Sequence, residues 1–205
     1  MIQTENVNPK KGKAITAVCF DAFGTLIHYG GKRTHPYRRL LRASAKAQAQ
    51  RLPFLTRNAG IATFAEELGL AHQLPDIRRE LEEEIAGLQL FPEVAQTLRQ
   101  LRAAGKQLAL CSNLAAEYGP IVRQLLPGLD AYALSFEIGA AKPDPAIYRA
   151  ICTALGAPPH QVLFIGDSKR SDLHGPQAFG MQAHWLDRKS GQTLNDALAG
   201  FLPHP

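Results

Sequence analysis

AITAVCF, residues Ala14–Phe20, is a short run of apolar and β-branched residues that stops at an acid, Asp21. A run of this length without polar alternation is how a strand buried on both faces reads, and it delivers its first polar residue at its carboxyl end. The pattern recurs. Gln107–Cys111 (QLALC) ends at Ser112, Gln161–Ile165 (QVLFI) ends at Gly166 and Asp167, and Ala131–Phe136 (AYALSF) leads within a few residues to Lys142. Helical patterns separate these runs. Val94–Ala104 places Val94, Leu98 and Leu101 on one face and closes at Gly105, and Ala146–Leu155 closes at Gly156, both glycines standing where a helix C-cap is expected. Strands alternating with helices predict βαβ units with right-handed crossovers, hence a doubly wound, Rossmann-like parallel-sheet α/β core. Ligands of such sheets sit beyond the carboxyl ends of the strands, so the polar residues found there should converge on one crevice.

The chain has 205 residues, enough for one well-cored domain plus an insertion. The interval between the first two of these strands is longer than a crossover requires. Pro36–Arg51, Thr63–Leu68 and Asp76–Leu88 read as helices, punctuated by Pro53, Gly60, Gly69 and Pro75. They predict a small α-helical cap, residues 30–90, inserted after the first strand of a core made of residues 14–29 and 91–205. Residues 1–13 (MIQTENVNPKKGK) are polar and basic with no apolar segment, so they read as a flexible tail and a cytoplasmic location is expected.

A hydrophobic share of 45% with 20% charged residues is that of a soluble globular protein. No run reaches the roughly 18 to 20 apolar residues of a membrane span, so no membrane partner is expected. Cys19, Cys111 and Cys152 are odd in number, far apart and set among apolar residues, which predicts buried reduced thiols. The net charge of +5 is unevenly placed. No acid occurs between Asp21 and Glu66, while Lys32, Arg33, Arg38, Arg39, Arg42, Lys46, Arg51 and Arg57 accumulate there. That interval should carry a positive potential suited to a small anionic substrate, or else form a solvated basic face. Without an aromatic or Gly-patterned reading surface, nucleic acid is not an expected partner.

The strand ends supply a carboxylate, Asp21; a hydroxyl and an amide, Ser112 and Asn113; an ammonium, Lys142; and two further carboxylates, Asp167 and Asp172. Several carboxylates with a lysine suit a hard divalent cation such as Mg²⁺, which takes oxygen ligands and keeps sites for an anionic substrate. Phosphoryl chemistry follows. One carboxylate attacks while cation, ammonium and hydroxyl offset charge on the transferring group.

FDAFGTL (Phe20–Leu26), CSN (Cys111–Asn113), Lys142 in AAKPDPAIY and IGDSKRSDLHG (Ile165–Gly175) resemble, in order and spacing, the four motifs of the haloacid dehalogenase-like superfamily. The resemblance spans roughly Ala14 to Asp187. It implies Asp21 as nucleophile, with Thr25 holding its carboxylate through a hydroxyl. Ser112 and the Asn113 backbone would bind phosphoryl oxygens, and Lys142 would pair with Asp21 and the substrate. Asp21, Asp167 and the Phe23 backbone carbonyl would hold Mg²⁺, with Asp172 in an indirect or water-mediated contact. Read by itself, Asp172 is equally an acid complementing a helix N-terminus. Gly24 suits the irregular turn after the strand. Leu26–Gly31 would be a mobile flap, flanked by His28 and His35 as candidate substrate contacts, while Tyr148 and Trp185 read as packing residues.

One position departs from the pattern. Phosphatases of the superfamily carry a second Asp two residues after the nucleophile, where it protonates the leaving oxygen. Here that residue is Phe23, which cannot transfer a proton. An aromatic at this position is similar to the first motif of 2-haloacid dehalogenases, in which Asp expels halide without a metal. Asp167 and Asp172, by contrast, would leave uncompensated carboxylates beside Asp21 unless a cation or protons intervene. The expected function is therefore Mg²⁺-dependent hydrolysis of a phosphorylated metabolite. The alternatives are metal-free haloacid dehalogenation and a catalytically weak protein that binds a ligand or partner.

Overall fold

The computed structural model describes residues 14–199 except Lys32, Ser44 and Gln50; the expected N-terminal tail, Lys32 and residues 200–205 lie outside the described residues. Five strands form one parallel sheet: β1 (Ala17–Phe20), β4 (Gln107–Ser112), β5 (Ala131–Leu134), β6 (Val162–Gly166) and β7 (Gln182–Trp185). Their order is β5-β4-β1-β6-β7, so the chain runs outward from β1 to one edge and then returns past it to the other. That reversal puts the ends of β1, β4 and β6 side by side, which is where an α/β sheet opens its crevice.

Successive residues of β1 serve opposite faces. Val18 and Phe20 join Leu108, Leu110, Leu163 and Ile165 in one buried cluster. Ala17 and Cys19 join Ala109, Cys111, Ala131 and Ala133 in the other, under helix Pro145–Leu155. The small side chains of the second face let that helix lie close, and all three cysteines are buried there as free thiols. Asp144 caps the helix by accepting from the Ala146 N–H, and Gly156 ends it with φ 62°.

Between β1 and β4 the chain first makes β2 (Ile27–Tyr29), which pairs antiparallel with β3 (Leu88–Leu90). The expected flap thus contains a paired strand, and the helix predicted to reach Leu88 ends earlier, at Gly87, where β3 begins. Five helices lie between the two strands: α1 (Pro36–Arg42), α2 (Ala45–Gln48), α3 (Pro53–Thr56), α4 (Ile61–Glu67) and α5 (Leu74–Ala86). The single helix expected over Pro36–Arg51 is broken, because beyond Arg42 the sequence ASAKAQAQ offers only alanines to bury. Leu40, Phe54, Phe64 and Ile77 of this segment are buried in the same cluster as Phe20 and Leu26, so helices and sheet share one core. Helix α6 (Val94–Ala103) and helix α7 (Tyr118–Leu125) cover the sheet on that side. Among the described residues no helix is long and apolar enough to cross a membrane.

Candidate active site

Asp21 follows β1, and its N–H continues the ladder onto the Ile165 carbonyl at 2.9 Å. The chain then turns sharply. The Ala22 carbonyl accepts from the N–H groups of Thr25, Leu26 and Ile27, and Gly24 adopts φ 76°. A Cβ at Gly24 would stand 2.3 Å from Asp167 Oδ2, so only glycine lets the two loops meet, and the peptide joining Phe23 to Gly24 lies beside that carboxylate. Gly166 does the same for Asp172, whose carboxyl carbon lies 2.5 Å from where its Cβ would be.

The strand ends converge. Asp21 Oδ1 accepts from Ser112 Oγ at 2.9 Å and from Lys142 Nζ at 2.8 Å. Lys142 Nζ also donates to Asp172 Oδ1 at 2.7 Å, and Asp172 Oδ2 accepts from the Ser168 N–H at 2.9 Å. Asp21, Ser112, Lys142 and Asp172 are buried. Burial by itself would lower the Lys142 ammonium, but Asp21 and Asp172 outweigh it and hold the group above the usual lysine range. Asn113 clamps this lysine from the side. Its amide donates to the Lys142 carbonyl at 2.8 Å, and its oxygen accepts from the Lys142 N–H at 2.7 Å.

Asp167 reaches solvent at the mouth of the cluster. Lost hydration, then the charges of Asp21 and Asp172, push its carboxyl up to about 6. One oxygen from each of Asp21, Asp167 and Asp172 can be chosen so that all lie within 4.8 Å of one another. Three carboxylates served by one ammonium form a donor set that suits a hard divalent cation. Both oxygens of Asp172 already accept hydrogen bonds, which leaves Asp21 and Asp167 the freer carboxylates for direct coordination. Asp172 meets both expectations: it stands in the first turn of the π-helical stretch Lys169–His174, where one oxygen accepts from the Ser168 N–H, while its other oxygen turns inward to Lys142.

Thr25 corrects an expectation. It is fully buried close after Asp21 in the chain, yet among the described residues its hydroxyl has no hydrogen-bond partner, the Asp21 carboxylate included. The tight turn through the Ala22 carbonyl directs the loop, and Arg188 fixes it by donating to the Thr25 carbonyl while pairing with Glu93. Nothing in the sequence around Arg188 announces this role. Tyr148 and Trp185 pack as expected, and they also brace the acidic loop. The Tyr148 hydroxyl donates to the Ser171 carbonyl at 2.6 Å and the Trp185 indole to the Asp167 carbonyl at 2.8 Å.

A cleft of about 490 Å³ lies between the neighbours of this cluster, Phe23 and Asn113, and the helices, its lining also including Tyr29, Tyr118 and His35. The Phe23 ring stacks on Tyr29 with centroids 5.7 Å apart and meets Tyr118 edge-on at 5.6 Å. His35 holds a left-handed backbone at φ 60°, whereas His28 packs on Phe91 at 4.8 Å outside the lining. The helical segment is joined to the core by two acids the motifs did not reveal. Glu84 accepts from the Tyr118 hydroxyl, the Thr34 hydroxyl and the His35 N–H. Glu117 accepts from the Tyr37 hydroxyl and from the Ile61 N–H, capping α4 from another part of the chain.

An α/β sheet with a buried Asp–Lys–Asp array at its carboxyl edge defines a class of hydrolase-like sites. Residues 15–180 match the haloacid dehalogenase-like hydrolase family, and the chain belongs to that family. It is 32% identical over 135 residues to a phosphoserine phosphatase of Thermus thermophilus, covering 61% of this chain and 53% of that protein. It is 34% identical over 111 residues to haloacetate dehalogenase H-2 of a Moraxella species, covering 53% of this chain and 49% of that one. The chain thus spans about half the length of these curated relatives. Among solved structures, a haloacid dehalogenase family enzyme of Bacteroides thetaiotaomicron superposes with a TM-score of 0.71 at 20% identity, over 93% of this chain and 100% of that one, a likeness of fold.

Proposed function

We propose that this protein is a Mg²⁺-dependent hydrolase of a small phosphorylated metabolite, acting through an aspartyl-phosphate on Asp21. The observation that carries the reading is the crowding of Asp21, Asp167 and Asp172 around a single ammonium, which leaves negative charge for a cation to offset. Residues 14–29 and 91–205 would form the catalytic core, and residues 30–90 a cap over it. Three buried free thiols support a reducing, cytoplasmic setting.

Asp21, Asp167 and the Phe23 carbonyl would hold the Mg²⁺, with Asp172 acting at one remove; the ion would neutralise phosphoryl oxygens. Lys142 and Ser112 fix one oxygen of Asp21, so the other faces the phosphorus. Its attack forms the Asp21 O–P bond as the P–O bond to the leaving group breaks. Ser112, the Asn113 backbone and Lys142 would take the phosphoryl oxygens. Phe23 supplies no proton, so the leaving oxygen departs as an anion, which favours acidic leaving groups such as aryl or acyl oxygens. Water then opens the aspartyl-phosphate, releasing phosphate and a proton to solvent.

The test is release of phosphate from an aryl phosphate with and without Mg²⁺, compared with Asp21→Asn. Metal-dependent release that is lost in the variant is expected; inactivity over a broad phosphate panel sinks the reading. One observation favours a second chemistry: Phe23, sealed between Tyr29 and Tyr118, suits a halide that leaves unprotonated. Halide release from 2-chloropropionate without metal would establish haloacid dehalogenation instead.

A further inference from the structure

We infer that the cleft recognises a second anionic group on the substrate through Arg33, Arg38 and Arg51, so that the substrate is a phosphorylated compound that also carries a carboxylate or a second phosphate. The inference rests on the phosphatase reading and narrows it to a substrate class.

Five arginines of this segment form two sets, and Arg42 belongs to neither. Arg39 pairs with Glu80 at 2.7 Å and approaches Asp76, and Arg57 pairs with Glu67 at 2.7 Å, all away from the cleft. Arg33, Arg38 and Arg51 line the cleft and reach no carboxylate among the described residues. They come from three separate turns of chain, before α1, within α1 and before α3, yet they line one cleft. Glu84 is the one carboxylate in that lining, and its oxygens are taken by Tyr118, Thr34 and the His35 N–H. Glu84 offsets one of these charges, and the lining of the cleft still keeps positive charge in excess among the described residues.

Position decides what that charge is for. The Arg33 guanidinium lies 4.3 Å over the Tyr29 ring, and Tyr29 stacks on Phe23, two residues beyond the nucleophile. One ring, that of Tyr29, thus separates the Phe23 side chain from the Arg33 guanidinium. The transferring phosphoryl group already has Lys142 and Ser112 at the strand ends. In this proposal the arginines meet what the phosphoryl group is attached to, in a lining whose Phe23, Tyr29, Tyr37 and Tyr118 rings suit a short unsaturated or aliphatic body. Guanidinium forks recognise carboxylates and phosphates by paired charge-assisted hydrogen bonds, which exposed lysines would do with less direction.

The experiment compares 4-carboxyphenyl phosphate with its neutral isostere 4-carbamoylphenyl phosphate, and 1,4-phenylene bisphosphate as the phosphate arm. Wild-type protein should prefer an anionic tail by about tenfold or more in kcat/KM, the better arm naming the group. Arg33→Gln, Arg38→Gln and Arg51→Gln should each reduce that ratio and the triple variant should erase it, while Arg39→Gln, on the outward pair, keeps it. A wild-type ratio near one, or a ratio unchanged in the triple variant, overturns the inference while leaving the phosphatase reading standing. Hydrolysis of none of the three esters counts against the phosphatase reading. Calorimetry with 4-carboxybenzylphosphonate and 4-carbamoylbenzylphosphonate then reads the subsite without turnover. Tighter binding of the acid supports it, and equal binding or none overturns it.

Discussion

At the carboxyl edge of the sheet Asp21, Ser112, Lys142 and Asp172 are buried and joined at 2.7 to 2.9 Å, whereas in the cleft Arg33, Arg38 and Arg51 are exposed and reach no acid among the described residues. Helix capping does not follow the same division, since the core helices α6 and α7 also have no side-chain cap. In the core, Asp144 and Thr193 cap their helices with their own side chains. Helices α1, α3, α4 and α5 have no side-chain cap of their own, and α4 borrows Glu117. A preorganised array paired before substrate arrives is suited to chemistry, and a segment whose charges wait for a partner is suited to selection.

The contrast can be broken most severely at Asp21, the proposed nucleophile. Asp21→Asn should reduce turnover at least ~10³-fold, since the covalent route is removed. The same variant should melt within a few degrees of the parent, because Lys142 keeps Asp172. Retained turnover in a purified, folded variant would remove Asp21 from the mechanism.

Lys142→Met tests whether the edge is held by paired charge. Deleting the ammonium leaves Asp21 and Asp172 facing each other without a cation, and breaking such a buried pair costs about 3–5 kcal/mol. A urea midpoint close to the parent's would show that the carboxylates relax independently of the lysine.

On the other side of the comparison, Glu117→Ala orphans the Tyr37 hydroxyl and the Ile61 N–H. The cost should be about 1–3 kcal/mol. Because both partners lie in the helical segment, limited proteolysis should then cut within residues 36–86 well before the core, and an unchanged cleavage pattern would deny Glu117 its holding role. Smallest is Tyr148→Phe, which removes one hydrogen bond to the Ser171 carbonyl and should cost about 0.5–1.5 kcal/mol. A several-fold fall in activity with KM unmoved would show that this bond helps to set the acidic loop.

Legibility in the sequence followed the same division. β1, β4 and β6 were readable because buried parallel strands are short apolar runs, and Asp21, Ser112 and Asp167 were readable because they terminate those runs. The edge strand β7, QAHW, is half-buried and polar in alternate positions, so no apolar run marks it. The pairing of β2 with β3 joins residues some sixty positions apart through backbone groups that carry no residue signature. Thr25 was misread because a hydroxyl near the nucleophile says nothing about where the turn aims it.

The sequence by itself determined the alternation of strand and helix, the residues standing at the strand ends and the basic interval that follows Phe23, because all three are carried by local period and composition. Tertiary structure alone decided that Lys142 holds Asp172 as well as Asp21, that Asn113 clamps the lysine, that Glu84 and Glu117 tie the helices to the core, and that three of the arginines line one cleft. Each of these joins groups far apart in the chain. Their meeting depends on how the sheet reverses at β1 and how the helices fold back over it, which no local pattern records.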